Sequence, residues 1–216
     1  MRKGIAISGA AAALATTVVS VTPAAASVEY LQRGPDGVTI EVATVNGSGC
    51  PIGSTAIALS PDNDAFTITY SKYLAQVGGN SQPTDDRKNC QINLRVHVPQ
   101  GFTYAVSSTD YRGFASLQTG VTGTLAASYY FQGYPGTRHY SYDWPGPLRK
   151  NWQQSDLVPV QQLVFKECGE ERLFNVNTEL RLDPGESDPA KVSYMSMDST
   201  DGSIKTTYHY TWKTCP

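Results

Sequence analysis

The sequence lacks any excess of basic residues. Its 17 Lys and Arg stand against 19 Asp and Glu, a formal net charge of −2 at pH 7. Phosphate backbones and anionic lipid surfaces recruit clustered positive charge, so this balance argues against nucleic acid and against electrostatic attachment to a membrane. No apolar run beyond residue 26 is long enough to cross a bilayer, which takes roughly 20 residues. No HExxH pair, no CxxC pair and no serine in a nucleophile-elbow sequence is present. Those absences leave no signature of a zinc peptidase, a zinc ribbon or an α/β-hydrolase, and none of a cofactor. Internal repeats and a flexible linker are missing too, so a single domain is expected.

What is present begins with a secretion signal. Arg2 and Lys3 form a positive start, Ile5 to Val21 is a mildly apolar stretch, and Pro23 breaks it. Ala24, Ala25 and Ala26 supply the small residues that a signal peptidase needs. The expected division is therefore a signal peptide over 1–26 and one domain over 27–216. Removing the signal takes away two positive charges and no negative ones, so the net charge becomes −4. The expected location is secreted, outside the cell.

The rest of the chain alternates apolar and polar residues with a period of two. Ile92, Leu94, Val96 and Val98 interleave with Asn93, Arg95 and His97. A strand with one buried face needs this pattern, because successive side chains point to opposite sides. The same alternation marks Phe66 to Tyr70, Phe102 to Val106, Phe174 to Leu182 and Ile204 to Trp212. Further strands are expected at Val38 to Val45, Tyr111 to Leu117, Leu125 to Phe131, Val158 to Phe165 and Val192 to Met197. Turn sequences separate them, among them Gly34-Pro35-Asp36-Gly37, Asp183-Pro184-Gly185 and Asp201-Gly202. Pro99-Gln100-Gly101 reads as a tight hairpin, as does Asp201-Gly202. Only Ser71 to Val77 has helical character. Many short strands and frequent turns predict an all-β fold: an antiparallel two-sheet β-sandwich, jelly-roll-like, with an open barrel as the alternative.

Four cysteines, Cys50, Cys90, Cys168 and Cys215, follow the signal. An even number in an exported chain indicates disulfides. Three pairings exist and sequence does not choose among them. Placement favours Cys50 with Cys90, joining a Gly-rich loop to a strand, and Cys168 with Cys215, which would pin a terminus prone to fray. Each bridge would contribute about 4 kcal/mol on the chain-entropy model. A tetrathiolate zinc site is disfavoured, because the short spacings it uses are absent.

Several stretches, in order, carry a resemblance: Gly47-Ser48-Gly49-Cys50-Pro51, then Arg87-Lys88-Asn89-Cys90-Gln91-Ile92 running on to Gly101-Phe102. Tyr111-Arg112-Gly113-Phe114, Ser128 to Gly133, Gly146-Pro147, Cys168-Gly169 and Phe174-Asn175-Val176-Asn177 follow. Together they make the chain similar to the secreted family of unknown function DUF4360. Lys166-Glu167 before Cys168 and a longer, Pro-rich aromatic segment depart from its pattern. The resemblance implies a secreted, cysteine-containing β-fold and carries no activity with it.

The candidate site is the irregular stretch Gly133 to Asp156. It holds Tyr134, Tyr140, Tyr142, Trp144, Arg149 and Trp152 among three prolines. Exposed Tyr and Trp suit protein hot spots and also stack on sugar rings. A lid packing these rings over the core is the competing account. The expected function is a non-catalytic extracellular binding or surface protein that recognises a protein or a glycan through this aromatic segment. One alternative is an extracellular hydrolase drawing on His139, Asp143 or Asp156, or on Glu170 and Glu171. Another is a secreted protease inhibitor. His97 and His209 fall on the polar phase of their strands and read as solvent-facing. Asp62-Asn63-Asp64, and Asp198 with Asp201, are oxygen-rich enough for calcium but read as turns. No catalytic residue, metal ligand or cofactor is assigned.

Overall fold

The computed structural model describes residues 29–31, 33–197 and 205–216. The expected signal peptide, Asp198 and the Asp201-Gly202 turn lie outside these residues. Among the described residues thirteen strands form two sheets, and every pairing is antiparallel. The smaller sheet runs β2 (Thr39–Asn46), β6 (Arg87–His97), β11 (Leu173–Asp183), β8 (Thr122–Phe131), β9 (Arg138–Pro145). The larger runs β3 (Thr55–Leu59), β4 (Ala65–Tyr70), β13 (Thr206–Thr214), β7 (Phe102–Leu117), β12 (Ser193–Ser196), β5 (Leu74–Val77). To this, β1 (Tyr30–Leu31) adds beside β13, and β10 (Leu148–Leu157) adds along the other side of β7. No pairing joins the sheets, so the fold is the sandwich and not the barrel. It is jelly-roll-like in that the chain repeatedly changes sheets, between β1 and β2, β2 and β3, β5 and β6, β6 and β7, β7 and β8, β9 and β10, β10 and β11, and β11 and β12.

The alternation of the sequence becomes the inside and outside of each sheet. Leu125, Ala127, Tyr129 and Phe131 of β8 are buried while Thr124, Ala126, Ser128 and Tyr130 are not. Ile92, Leu94 and Val96 of β6 and Phe174, Val176 and Leu180 of β11 meet Tyr104, Tyr208, Tyr210 and Trp212 of the larger sheet. Aromatic edges join the layers: Phe66 meets Phe174 at 6.3 Å and Tyr104 meets Phe131 at 5.3 Å, both edge-on. Such pairs add about 0.5–1.5 kcal/mol beyond the area they bury. Two disulfides brace the sandwich, Cys50–Cys90 tying the loop after β2 to β6, and Cys168–Cys215 tying the segment before β11 to the end of β13. These are the pairings that placement in the sequence favours.

Four expectations are corrected. Gly133 to Asp156 is mostly two strands, β9 and β10. Tyr140, Tyr142 and Trp144 alternate with His139, Ser141 and Asp143, and Pro135, Pro145 and Pro147 fall at or beyond the strand ends, where a missing N–H does no harm. Ser71 to Val77 contains a strand, since Ala75 and Val77 point inward while Leu74 and Gln76 do not. Val158 to Phe165 is not a strand: Pro159 ends the β10 ladder and a 3-10 turn follows at Val160–Gln162. Pro99-Gln100-Gly101 is not a hairpin turn, because β6 and β7 belong to different sheets and the turn carries the chain across the sandwich.

Candidate functional site

Strand β9 is an edge of the smaller sheet and β10 an edge of the larger. The Gly146-Pro147 turn between them therefore arches over one open side of the sandwich. Glycine is required there, since a Cβ on Gly146 would lie 1.8 Å from the carbonyl oxygen of Gln118. The inward side chains of the arch close the seam. The rings of Trp144 and Trp152 lie 4.9 Å apart, and Tyr142 lies 6.4 Å from Trp144. Tyr140 stacks on Tyr129 at 5.7 Å, with their hydroxyls 3.2 Å apart. Trp152 fits against β7 because its cross-strand partner there is Gly113, where a Cβ would come within 2.2 Å of the indole.

At the floor of the seam lies Asp156, 1% exposed. Its carboxylate accepts hydrogen bonds from the hydroxyls of Tyr111, at 2.9 Å, and Tyr142. Burial pushes its pKa up to about 6; the two hydroxyls pull against this, and the nearby Asp110 adds to it. Burial raises the Tyr142 and Tyr111 phenols as well, and the neighbouring carboxylate reinforces that, so both stay protonated donors.

The outward face of β9 is different in kind. Cross-strand register places Gln91 beside Asn177, Asn177 beside Ser128, and Ser128 beside His139. One rung thus runs from β6 through β11 and β8 to β9. The next rung is Asn89, Glu179, Ala126 and Ser141. Small residues on β8, Ala126 and Ser128, leave a trough between the amides on one side and His139 and Ser141 on the other. The resulting open groove has a volume of about 500 Å³, within the range of small-ligand sites. Its one ion pair is Arg87 to Glu179, at 2.5 Å. Asn89 accepts a hydrogen bond from Ser48. Among the described residues, no side-chain hydrogen bond engages Gln91, Asn177, Ser128, His139 or Ser141.

The candidate residues from the sequence divide between these faces. Trp152 is 3% exposed, and Tyr134, Tyr140, Tyr142 and Trp144 are half-buried and packed against the core. The expectation that these rings are exposed gives way, because β9 and β10 turn every second residue inward. Tyr134 also carries the Arg172 guanidinium over its ring. Arg149 is exposed on the outer side of β10, opposite Ser116 of β7. His139 and Asp143 point outward from β9 while Asp156 is buried, so the three do not converge on one cleft; Asp143 accepts from Thr124. Glu170 pairs with Arg172 at 2.5 Å. Asp64 accepts from Ser60, Asn63 donates to the Pro35 carbonyl, and Asp62 faces Arg33, so that turn's side chains already have partners within the protein. His97 is solvent-facing near Glu171.

Two groupings escape a reading of the sequence. The groove draws on residues 89–91, 126–128, 139–141 and 177–179, which only strand pairing brings together. Their one sequence signal is the amide and hydroxyl content of the polar phase of β6, β8 and β11. The second grouping is Ser155, Asp110 and His209, on the outer face of the larger sheet. Ser155 donates to one carboxylate oxygen of Asp110, and His209 Nε2 lies 2.9 Å from the other. Burial would raise the Asp110 pKa, but the bonds from Ser155 and His209 outweigh it and hold it below its ordinary value. The aspartate stands between serine and histidine, so the hydroxyl has no base and the trio is not a nucleophilic triad.

Fold and disulfides together define a disulfide-braced β-sandwich. The chain belongs to the family described as Domain of unknown function (DUF4360), whose profile matches residues 36–215. It is also similar to an uncharacterized secreted protein of Arthroderma benhamiae, 35% identical over 181 residues, covering 84% of this chain and 73% of that protein. The protein is secreted, and among the described residues no helix is long and apolar enough to cross a membrane.

Proposed function

We propose that this is a non-catalytic extracellular binding protein that recognises a protein or a glycan through the β9–β10 arch. In this reading Tyr134, Tyr142, Trp144 and Trp152 hold the arch rigid, and the contact is made by what the arch presents. That is His139 and Ser141 along the groove, with Arg149 on the opposite side. Rigid placement lowers the ordering cost of binding. The observation that carries the reading is the groove walled by β9, where Gln91, Asn177, Ser128, His139 and Ser141 make no side-chain hydrogen bond among the described residues. Polar groups ordered on a sheet and free of internal bonds are available to a ligand.

The test is a pull-down of cell-wall and extracellular fractions with the mature protein, beside His139→Ala and the triple variant Tyr142→Ala, Trp144→Ala, Trp152→Ala. Loss of captured material with His139→Ala, in a protein that still unfolds cooperatively, supports the assignment. Unchanged capture by both variants removes the arch from consideration.

A further inference from the structure

Resting on that binding reading, we infer that the ligand of the groove is a neutral oligosaccharide lying across the strands of the smaller sheet. The inference comes from the kind of hydrogen-bonding groups that face the groove. Asn89, Gln91 and Asn177 each carry an acceptor oxygen and a donor NH2 side by side. Ser128 and Ser141 carry hydroxyls that both donate and accept, and His139 adds two imidazole nitrogens capable of hydrogen bonding. A sugar hydroxyl is likewise donor and acceptor at once, so a row of such groups matches a row of vicinal hydroxyls.

Charge narrows the class. The one arginine lining the groove among the described residues, Arg87, is paired with Glu179 at 2.5 Å, and no lysine lines it, which leaves no unpaired Lys or Arg there for a carboxylate, sulfate or phosphate. Acidic polysaccharides and nucleic acids therefore find no counter-charge. The apolar surface facing the groove comes from Ala126 and the carbons of its polar side chains, with no large aliphatic or aromatic side chain to hold an apolar ligand. An extended peptide seeks a free strand edge, whereas the groove lies on the sheet face over β6, β11 and β8, which are paired on both sides, and only the strand at its wall, β9, has a free edge. The rung Gln91, Asn177, Ser128, His139 crosses four strands, so the row of groups runs about 14 Å at the usual strand spacing. That length serves a short chain of sugar rings rather than a single one.

The test is titration calorimetry of the mature protein with neutral β-glucan, mannan and chitin oligosaccharides. A polyuronate oligosaccharide and an unrelated peptide are the comparisons, with cell-wall fractions assayed in parallel. The expected result is binding to at least one neutral oligosaccharide, with affinity unchanged between low and high salt. Asn177→Ala and Gln91→Ala should each weaken it about tenfold. Thr69→Ala, on the outer face of the other sheet, should leave it unchanged, and thermal unfolding of every variant reports on the fold. Salt-sensitive binding to the polyuronate, or neutral binding indifferent to Asn177→Ala and Gln91→Ala, overturns the inference. Capture of cell-wall protein with no oligosaccharide bound overturns it while leaving the binding reading intact. Absence of binding to anything overturns both.

Discussion

The two faces of β9 differ in kind. On one side Tyr140, Tyr142 and Trp144 are packed against Tyr129, Trp152 and the core. On the other, His139 and Ser141 stand in a groove with no partner among the described residues. Adjacent residues on one backbone thus do opposite work. The aromatic rings attract the eye in a sequence, yet a strand gives the core every second residue whatever its chemistry. Aromatic content shows where a strand is held; the unassuming residues between the aromatics show what it offers to solvent.

The comparison breaks most visibly on the inner face. Trp152→Ala should destabilise the protein by about 3–5 kcal/mol, because it empties a buried site that Gly113 leaves room for. Thermal or urea unfolding measures it, and a loss below about 1 kcal/mol would mean the ring is not part of the core. Neither cysteine of the Cys168–Cys215 bridge lines the groove. Replacing both cysteines by serine should cost about 2–4 kcal/mol while binding at the groove survives, which separates fold from site.

Asp156 gives the comparison a dependence on pH. Its folded pKa, about 6, lies above that of an unfolded aspartate. Its contribution is then fully present below the unfolded pKa, near 4, and is lost as pH rises through about 6. Between pH 4 and pH 7 the stability of the native protein relative to Asp156→Asn should fall by up to about 3 kcal/mol. Denaturant melts of both proteins across this range measure the difference, and parallel curves would refute it. The smallest effect belongs to the outer face: His139→Ala should change stability by less than about 0.5 kcal/mol. A larger loss would show that His139 supports the sheet and does not simply face the groove.

The sandwich was legible in the sequence because period-two alternation needs no partner to be seen. Ile92 to Val98 and Phe174 to Leu182 declare which side is buried before any pairing is known. Strands β9 and β10 were hidden because Pro135, Pro145 and Pro147 punctuate the segment, and prolines at strand ends look the same in sequence as prolines in a loop. Pro99-Gln100-Gly101 shows the limit in another way. Its residues specify a turn, but whether a turn returns within a sheet or crosses to the other depends on distant strands. The groove was the least legible feature. Asn177 and His139 meet through Ser128, and none of the three has a local signature of its neighbours.

Strand β13 follows every other described strand in the chain, yet it lies between β4 and β7 in the middle of the larger sheet. Tyr208, Tyr210 and Trp212 go from it into the core. Were the chain threaded across a membrane from its N-terminus, it would cross with its larger sheet still lacking a central member. It cannot lock into its final shape while threading a pore, and compaction waits until the closing strand arrives on the far side.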